Sequence, residues 1–509
     1  MKALASSPMR LYWLGLLALL AFRLWFAAVL PMTGDEAYFV FWGEHPAGGY
    51  YDHPPMVGWW LSALLTISRA EWFLRLPALV LPLILAWGVW WLVRTYGAER
   101  ARLAALLILL QPANVLNVLI TTDTPVILFS FLSILAYVAA LRSAQQPRLA
   151  LLWHALAGAL LGLAFLGKYF AALLGMAYLV HVLFIRRDAV RWPGFALLLV
   201  AALPAPLYNL WWNSSHCWVN ILFNFMNRNA EAGFSWQNPL LYLASLVYLA
   251  TPWVLFELWR QRQKMLESVR TNCEASAAFW LMLVPLALFA LMSFWRSIGL
   301  HWLFSFIPLL GVLAAIVLSP TVLAKLVRWS AVFGVLHVLA MAILVSLPAQ
   351  AWKDTSFSRS VALRLHAREL LTHIAPYAPD HLLAMESFSA AAFMAYQSGR
   401  PFAVFGSGSY FARQDDFATD WRAQSGRNVL ILRTFPPRAQ DYLPYFRQVE
   451  FREIVIDGTR FHLIIGQGFN YAVYHENVLT RIRQRFYRIP TWLPQRGCEF
   501  TERYFPEMK

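Results

Sequence analysis

Long apolar runs, parted by short polar turns, are what most restrict the fold of this chain. About eleven of them, each of roughly 17–22 residues, recur between residues 11 and 347. A helix of about 20 apolar residues crosses the hydrocarbon of a bilayer. Inside lipid every backbone group must be paired within the protein, so only helices and closed barrels span. These runs are too long for strands and show no period-2 alternation, so helices are expected. Only 14% of residues are charged, against about 25% in soluble globular chains. Mean hydropathy is +0.51. A polytopic α-helical membrane protein of about eleven spans, thirteen at most, is the expected class.

The spans are expected near residues 11–31, 76–93, 103–120, 125–141, 150–166, 169–185, 192–210, 239–258, 276–294, 302–318 and 329–347. The first is read as retained, since no small-x-small cleavage site precedes the charged Gly34-Asp35-Glu36. It carries Arg23, a cation in apolar surroundings that either pairs inside the bundle or meets an anionic headgroup. Residues 56–68 are apolar and Trp-rich but short, which suits a helix lying on the interface.

Basic residues fix the expected orientation, because short cytoplasmic loops collect Lys and Arg. With the N-terminus inside, the inner loops carry Arg94, Arg100 and Arg102, then Arg142 and Arg148, then Arg186, Arg187 and Arg191. Arg260, Arg262, Lys264 and Arg270 follow, then Lys325 and Arg328. The outer connections carry far fewer: Arg69, Arg75, Lys168, Arg228 and Arg296. Topology thus accounts for much of the net charge of +15, and nucleic acid is not an expected partner. A multi-pass membrane protein follows, with its polar connections on the outer face.

Residues 349–509 change character: charge becomes frequent and no run is long enough to span. A helix is expected at 358–374, and strands at 381–385, 402–405, 428–433, 449–456 and 461–466. Asp457-Gly458 marks a hairpin, with Thr459 and Arg460 completing the loop. The expected domains are a membrane domain over 1–348, with its first outer loop at 32–74, and a small C-terminal α/β domain whose end, 470–509, could be a basic amphipathic tail. Cys217 and Cys498 fall on the same outer side, so they could form one disulfide or remain thiols; Cys273 is the third cysteine.

On this topology the suspicious polar groups share the outer face. They are Asp35 and Glu36, then Asp52 and His53, then Asp123, and the cations Lys168, Arg296 and His301. A polar segment at 211–238 adds Trp211, Trp212, Asn213, His216, Trp218, Asn224 and Glu231, as an aromatic belt or a sugar platform. Carboxylates with separate cations suit a reaction that removes a proton and stabilises an anionic leaving group. A transporter would instead place ionisable residues in mid-membrane along a path.

Gly34-Asp35-Glu36-Ala37-Tyr38, Tyr51-Asp52-His53-Pro54-Pro55-Met56, Arg75-Leu76-Pro77, Asp123-Thr124-Pro125 and His301-Trp302 together resemble the GT-C superfamily of lipid-phosphate-sugar glycosyltransferases. The branch they are most similar to is that of protein-mannosyltransferase-like proteins and the aminoarabinose transferases of lipid A. The resemblance covers about residues 10–320 and implies a GT-C fold. It also implies a polyprenyl (undecaprenyl) phosphate sugar donor, inverting transfer, and an acceptor such as lipid A or another envelope glycan. A protein hydroxyl acceptor or a lipid-linked-sugar flippase are the alternatives. By the same resemblance Asp35 is the general base and Glu36 the second acid of its pair. Asp52, His53, Asp123, Lys168, Arg296 and His301 would serve substrate and donor phosphate. His53 stands where the aminoarabinose branch has a lysine. No cofactor is expected to be obligatory; a divalent cation could be held by Asp35, Glu36 and Asp123 through oxygen ligands.

Overall fold

The computed structural model describes residues 7–229, 233–353, 355–409, 411 and 413–508; Glu231 of the polar segment lies outside them. The chain divides into two compact units. One holds residues 1–30, 68–208 and 232–345; the other holds 31–67, 209–231 and 346–509.

The first unit is helical. Six helices are long and apolar enough to cross a membrane, or eight if each of two bent helix pairs counts as one span. The eleven apolar runs are thus not eleven straight spans, and prolines explain much of the difference. The run expected at 103–120 breaks into Ala98–Leu109 and Pro112–Leu116, because Pro112 lacks the N–H the helix ladder needs. The run at 239–258 becomes Gln237–Ala250 and Pro252–Arg260, bent by 85° at Thr251, which sits at φ +62°. The run at 302–318 starts as a 3-10 turn, Leu300–Ser305, and resumes as the short Pro308–Val317. The run at 192–210 is longer than expected and continues as Arg191–Ser215.

The core of this unit is Leu, Val, Ile and Phe from Leu85, Val89, Ile108, Phe131 and Leu313. Two arginines are buried in it. Arg23 donates to the carbonyls of Asn114 and Ala78, so its charge is absorbed by backbone inside the bundle rather than by a headgroup. Arg75 donates to Ala27 and Leu30 O, each at 2.7 Å, which satisfies carbonyls left open at the end of Ser7–Val29.

The second unit is built on a five-stranded sheet: β1 (His381–Met385), β2 (Ala403–Val404), β3 (Asn428–Arg433), β4 (Phe446–Ile456) and β5 (Thr459–Phe469). Their order is β2-β1-β3-β5-β4. β1 runs parallel to β2 and β3, with Leu383 opposite Leu430, while β5 runs antiparallel to both β3 and β4. Val429, Leu430, Ile431 and Leu432 are all buried, as a strand covered on both faces must be. Asp457 and Gly458 have φ +51° and +75°, the two-residue turn that suits strand twist. Thr459 already pairs with Ile456, so the loop closes two residues earlier than expected. The helix expected at 358–374 is two, Ser358–Leu365 and Ala367–Ile374, broken at His366.

Residues 470–508 are not a tail. Tyr474, Leu479, Ile482, Phe486, Phe500 and Tyr504 are buried in the core of this unit, and Cys217 is disulfide-bonded to Cys498. The apolar face of the expected amphipathic segment is spent on the protein itself. Trp212 and Trp218 are core residues too, while Trp211 is 56% exposed. Trp212 stacks on His216 at 4.3 Å and Trp218 Nε1 donates to Pro494 O.

Candidate active site

In the second unit the acidic pair sits on a short helix, Gly34–Glu44, whose start is locally determined. Thr33 caps it: its hydroxyl accepts from Glu36 N at 3.2 Å, while the Glu36 carboxylate accepts from Thr33 N at 3.1 Å. This is a capping box, two orphan N–H groups satisfied reciprocally. Glu36 is buried, 1% exposed, and its carboxylate is engaged in holding the helix end. The cap is therefore Thr33, and Asp35, one residue into the helix, keeps its carboxyl at the surface. Gly34 is needed by close packing. A Cβ there would stand 2.5 Å from Ser389 Cβ and 2.9 Å from Ser389 O, so the Phe388–Ser398 helix rests directly on the start of this one.

Although Asp35 reaches solvent, its carboxyl is raised above the usual carboxylate range. Desolvation is the largest cause and the Asp52 carboxylate the next; Arg364 and His53 pull the other way. Asp52 and His53 sit on a rigid loop. Tyr50 N donates to His53 O at 3.0 Å, Tyr50 OH to Trp42 O at 2.9 Å, and the Tyr50 and Trp42 rings stack at 4.4 Å. Asn220 and Asn224 side chains donate to Tyr50 O and Asp52 O. His53 Nδ1 lies 3.2 Å from Asp52 Oδ2, an ion-pair distance at an angle poor for a hydrogen bond. Asp52 Oδ1 is buried without a hydrogen-bond partner among the described residues, a costly state for a carboxylate oxygen unless something else is meant to meet it.

The C-terminal residues complete this cluster in a way the sequence did not signal. Gln414 N donates to Tyr38 OH at 3.1 Å, and Gln414 Oε1 accepts from Tyr51 N at 2.8 Å. Next to it Arg413 forks onto Asp416 at 2.7 and 2.8 Å and also donates to Ser407 O and Ser409 O. Asp415 is left without an arginine of its own, and its carboxyl is pushed up to about 8 by burial and then by Asp416. Arg364, Gln414 and Asp415 lie more than 300 residues downstream of Asp35 in the chain; only the fold brings Arg364 within reach of the Asp35 charge, and Gln414 and Asp415 to Tyr38 on the same helix.

Asp123, Lys168 and His301 form a second cluster, within the first unit. Asp123 opens the Asp123–Arg142 helix and is 4% exposed. Lys168 Nζ donates to both Asp123 oxygens, at 3.1 and 3.0 Å. His301 Nε2 is 3.6 Å from Asp123 Oδ2. Lys168 also lies 5.5 Å from the Trp302 ring and 5.3 Å from that of Phe170, positions in which the ring faces attract a cation. Arg296 is half-buried on the turn leading to His301. The expected residues therefore fall into two groups, one in each unit. Among the described residues, no three His, Cys, Asp or Glu side chains are grouped as metal ligands.

Comparison with known proteins bears on this arrangement. A family model described as dolichyl-phosphate-mannose-protein mannosyltransferase matches residues 52–212. The crystal structure of ArnT from Cupriavidus metallidurans bound to undecaprenyl phosphate superposes with a TM-score of 0.64 at 16% identity, covering 89% of this chain and 97% of that one. The chain has an ArnT-like GT-C fold. The apo form of the same ArnT gives a TM-score of 0.61 over 90% of this chain and 98% of that one, again at 16% identity. The lipid A galacturonosyltransferase RgtD of Rhizobium johnstonii is 29% identical over 278 residues, 50% of this chain and 57% of that protein. The match thus spans little more than half of that relative. The resemblance drawn from the sequence, to GT-C lipid-phosphate-sugar glycosyltransferases of the protein-mannosyltransferase-like and aminoarabinose-transferase-like branch, is met by the family model and by RgtD, and the expected fold is met by the ArnT structures.

Proposed function

We propose that this chain is an inverting glycosyltransferase that moves a sugar from a polyprenyl phosphate to a lipid A-type acceptor, with Asp35 as general base. The observation that carries the reading is the Asp35 carboxyl itself. It is the accessible acid of the pair, fixed by the capping box beneath it, and desolvated enough to hold a proton more tightly than a surface aspartate. The acceptor hydroxyl gives its proton to this carboxylate as its oxygen bonds to the anomeric carbon. The bond from that carbon to the phosphate oxygen breaks, and polyprenyl phosphate leaves with the electron pair. Glu36 and Thr33 position the base. His53, beside Asp52, is offered to a leaving phosphate within the second unit; Lys168, Arg296 and His301 keep a proposed role in donor binding within the first unit.

ArnT binding undecaprenyl phosphate and RgtD acting on lipid A support this donor and this acceptor. The basic loops support an inner-membrane protein whose second unit faces the periplasm, and the Cys217–Cys498 disulfide suits an oxidising compartment.

The test uses the purified full chain in nanodiscs with undecaprenyl-phosphate-linked sugars, galacturonosyl among them, and lipid A as acceptor. Release of undecaprenyl phosphate with growth of the acceptor mass is expected, and Asp35→Asn should abolish both. Full turnover by Asp35→Asn would end the assignment of the base. Movement of the donor between leaflets without transfer would end the enzyme reading.

A further inference from the structure

A cleft of about 670 Å³ opens in the second unit, lined by Lys353, Arg359 and Arg364 and by hydroxyls including Ser387, Ser389 and Thr434. No carboxylate lines it among the described residues. Among the described residues these three cations face one space with no acid on its lining, so they repel one another and favour an anion. Among the described residues neither arginine has a carboxylate oxygen within 4 Å, and the acids that act on Arg364, Asp35 and Glu36, do so from farther away. Arg364 donates to Ser360 O at 3.0 Å, and the Arg359 guanidinium carbon stands over the Phe435 ring, 3.8 Å from its centre. Stacking and a backbone bond hold the guanidinium planes while leaving N–H groups for a ligand.

The cleft adjoins the base. Ser389, on its wall, is the residue packed against Gly34, and Arg364 feels the charges of Asp35 and Glu36. A ligand anion held by these cations therefore has its neutral part close to Asp35. A phosphate monoester suits the donor set better than a carboxylate. It presents three acceptor oxygens and close to two charges, enough for two arginine forks and the surrounding hydroxyls, whereas a carboxylate offers two oxygens and a single charge.

We propose that this cleft binds the phosphate monoester of a phosphorylated glycolipid acceptor and holds an acceptor hydroxyl toward Asp35. The assignment rests on the transferase reading for the second half of that statement only; the binding half stands or falls separately.

Native mass spectrometry of the full chain in detergent, titrated with bisphosphorylated, monophosphorylated and dephosphorylated lipid A, reads the binding directly. The wild type should retain the phosphorylated forms about tenfold better than the dephosphorylated one, as expected of charge-assisted bonds. Arg359→Gln with Lys353→Gln should erase that preference while undecaprenyl phosphate binding persists, which also shows that the variant is folded. Asp35→Asn should keep the preference, so loss of transfer and loss of binding are told apart. Equal retention of all three lipids, or an unchanged preference in the double variant, overturns the proposal. So does equal competition by inorganic phosphate or by phosphatidylglycerol, since either would mean a general anion surface rather than a glycolipid site.

Discussion

Gly34→Ala offers a sharp test of how the base is held. The substitution adds one methyl group. It would stand 2.5 Å from Ser389 Cβ and 2.9 Å from Ser389 O, where ordinary contact begins near 3.4 Å. One of the two helices must therefore retreat by about 0.9 Å, and one of the clashing atoms is backbone, which cannot rotate away. Helix propensity pulls the other way, by at most about 1 kcal/mol in favour of Ala. Overpacking of this kind costs about 1–3 kcal/mol, so a net loss of stability is expected. The larger effect should be on rate. Asp35 is the next residue, and a displacement of about 1 Å in a catalytic group can cost on the order of 100-fold. The assay is turnover of the purified protein with saturating donor and acceptor, beside thermal unfolding followed by tryptophan fluorescence. Ser389→Gly, which removes the Cβ but not the carbonyl, should restore part of the activity in the double variant. Wild-type turnover and an unchanged midpoint in Gly34→Ala would refute the claim that this contact positions the base.

Four further outcomes follow from the charges and the covalent link. A base must be ionised to work, and Asp35 is raised by burial and by Asp52 and lowered by Arg364; the acid limb of kcat/KM should therefore lie above the usual carboxylate range, move up in Arg364→Gln and move down in Asp52→Asn, as a pH–rate series would show. Asp415 holds its proton up to about 8 in the folded chain against an ordinary 3.8; the folded state binds the extra proton between these values, so stability falls as pH rises from 4 to 8, and Asp415→Asn should raise the unfolding midpoint at pH 7.5 while matching the wild type near pH 4. Lys168→Met leaves the buried Asp123 carboxylate without its main cation and should destabilise by about 3–5 kcal/mol; Lys168→Met with Asp123→Leu should recover most of it in denaturant titrations, and no recovery would mean the pair is not the reason. Breaking Cys217–Cys498 frees a segment spanning 281 residues; Cys217→Ser with Cys498→Ser should lower stability by about 5 kcal/mol at most, and the sensitivity to reductant in a thermal melt should vanish with it.

The sheet was legible because strand burial writes itself locally. Val429–Leu432 is a continuous apolar run, and His381–Met385 and Asn428–Arg433 fall where the pattern put them. Membrane helices were legible as apolar composition, but composition does not say where a helix bends. Pro112, Pro252 and Pro308 turned expected single spans into shorter pieces. Of the site, the acidic pair announced itself by standing next to an apolar span, and Lys168 with Asp123 by interrupting one. The difference within the pair was not visible: only the capping box shows that Glu36 serves the backbone while Asp35 stays exposed. Arg364, Gln414 and Asp415 carried no signal at all, because ordinary polar residues in a polar region acquire a role only when the chain folds back on residues 31–67.

The disulfide also imposes a sequence of events on synthesis. Cys217 emerges 281 residues before the residue it must meet, and in the proposed orientation it waits as a thiol outside the membrane while several further helices are inserted. Only when the residues around Cys498 have been exported can the bond form, with Phe500 and Tyr504 seating in the same core. The segment that carries Asn220 and Asn224, which hold the Asp52 loop, is thus locked last. A chain stalled between the two cysteines could have helices of the first unit inserted and still leave the Asp52 loop unsecured, so the bond tells a chain whose second unit has assembled from one that has only been inserted.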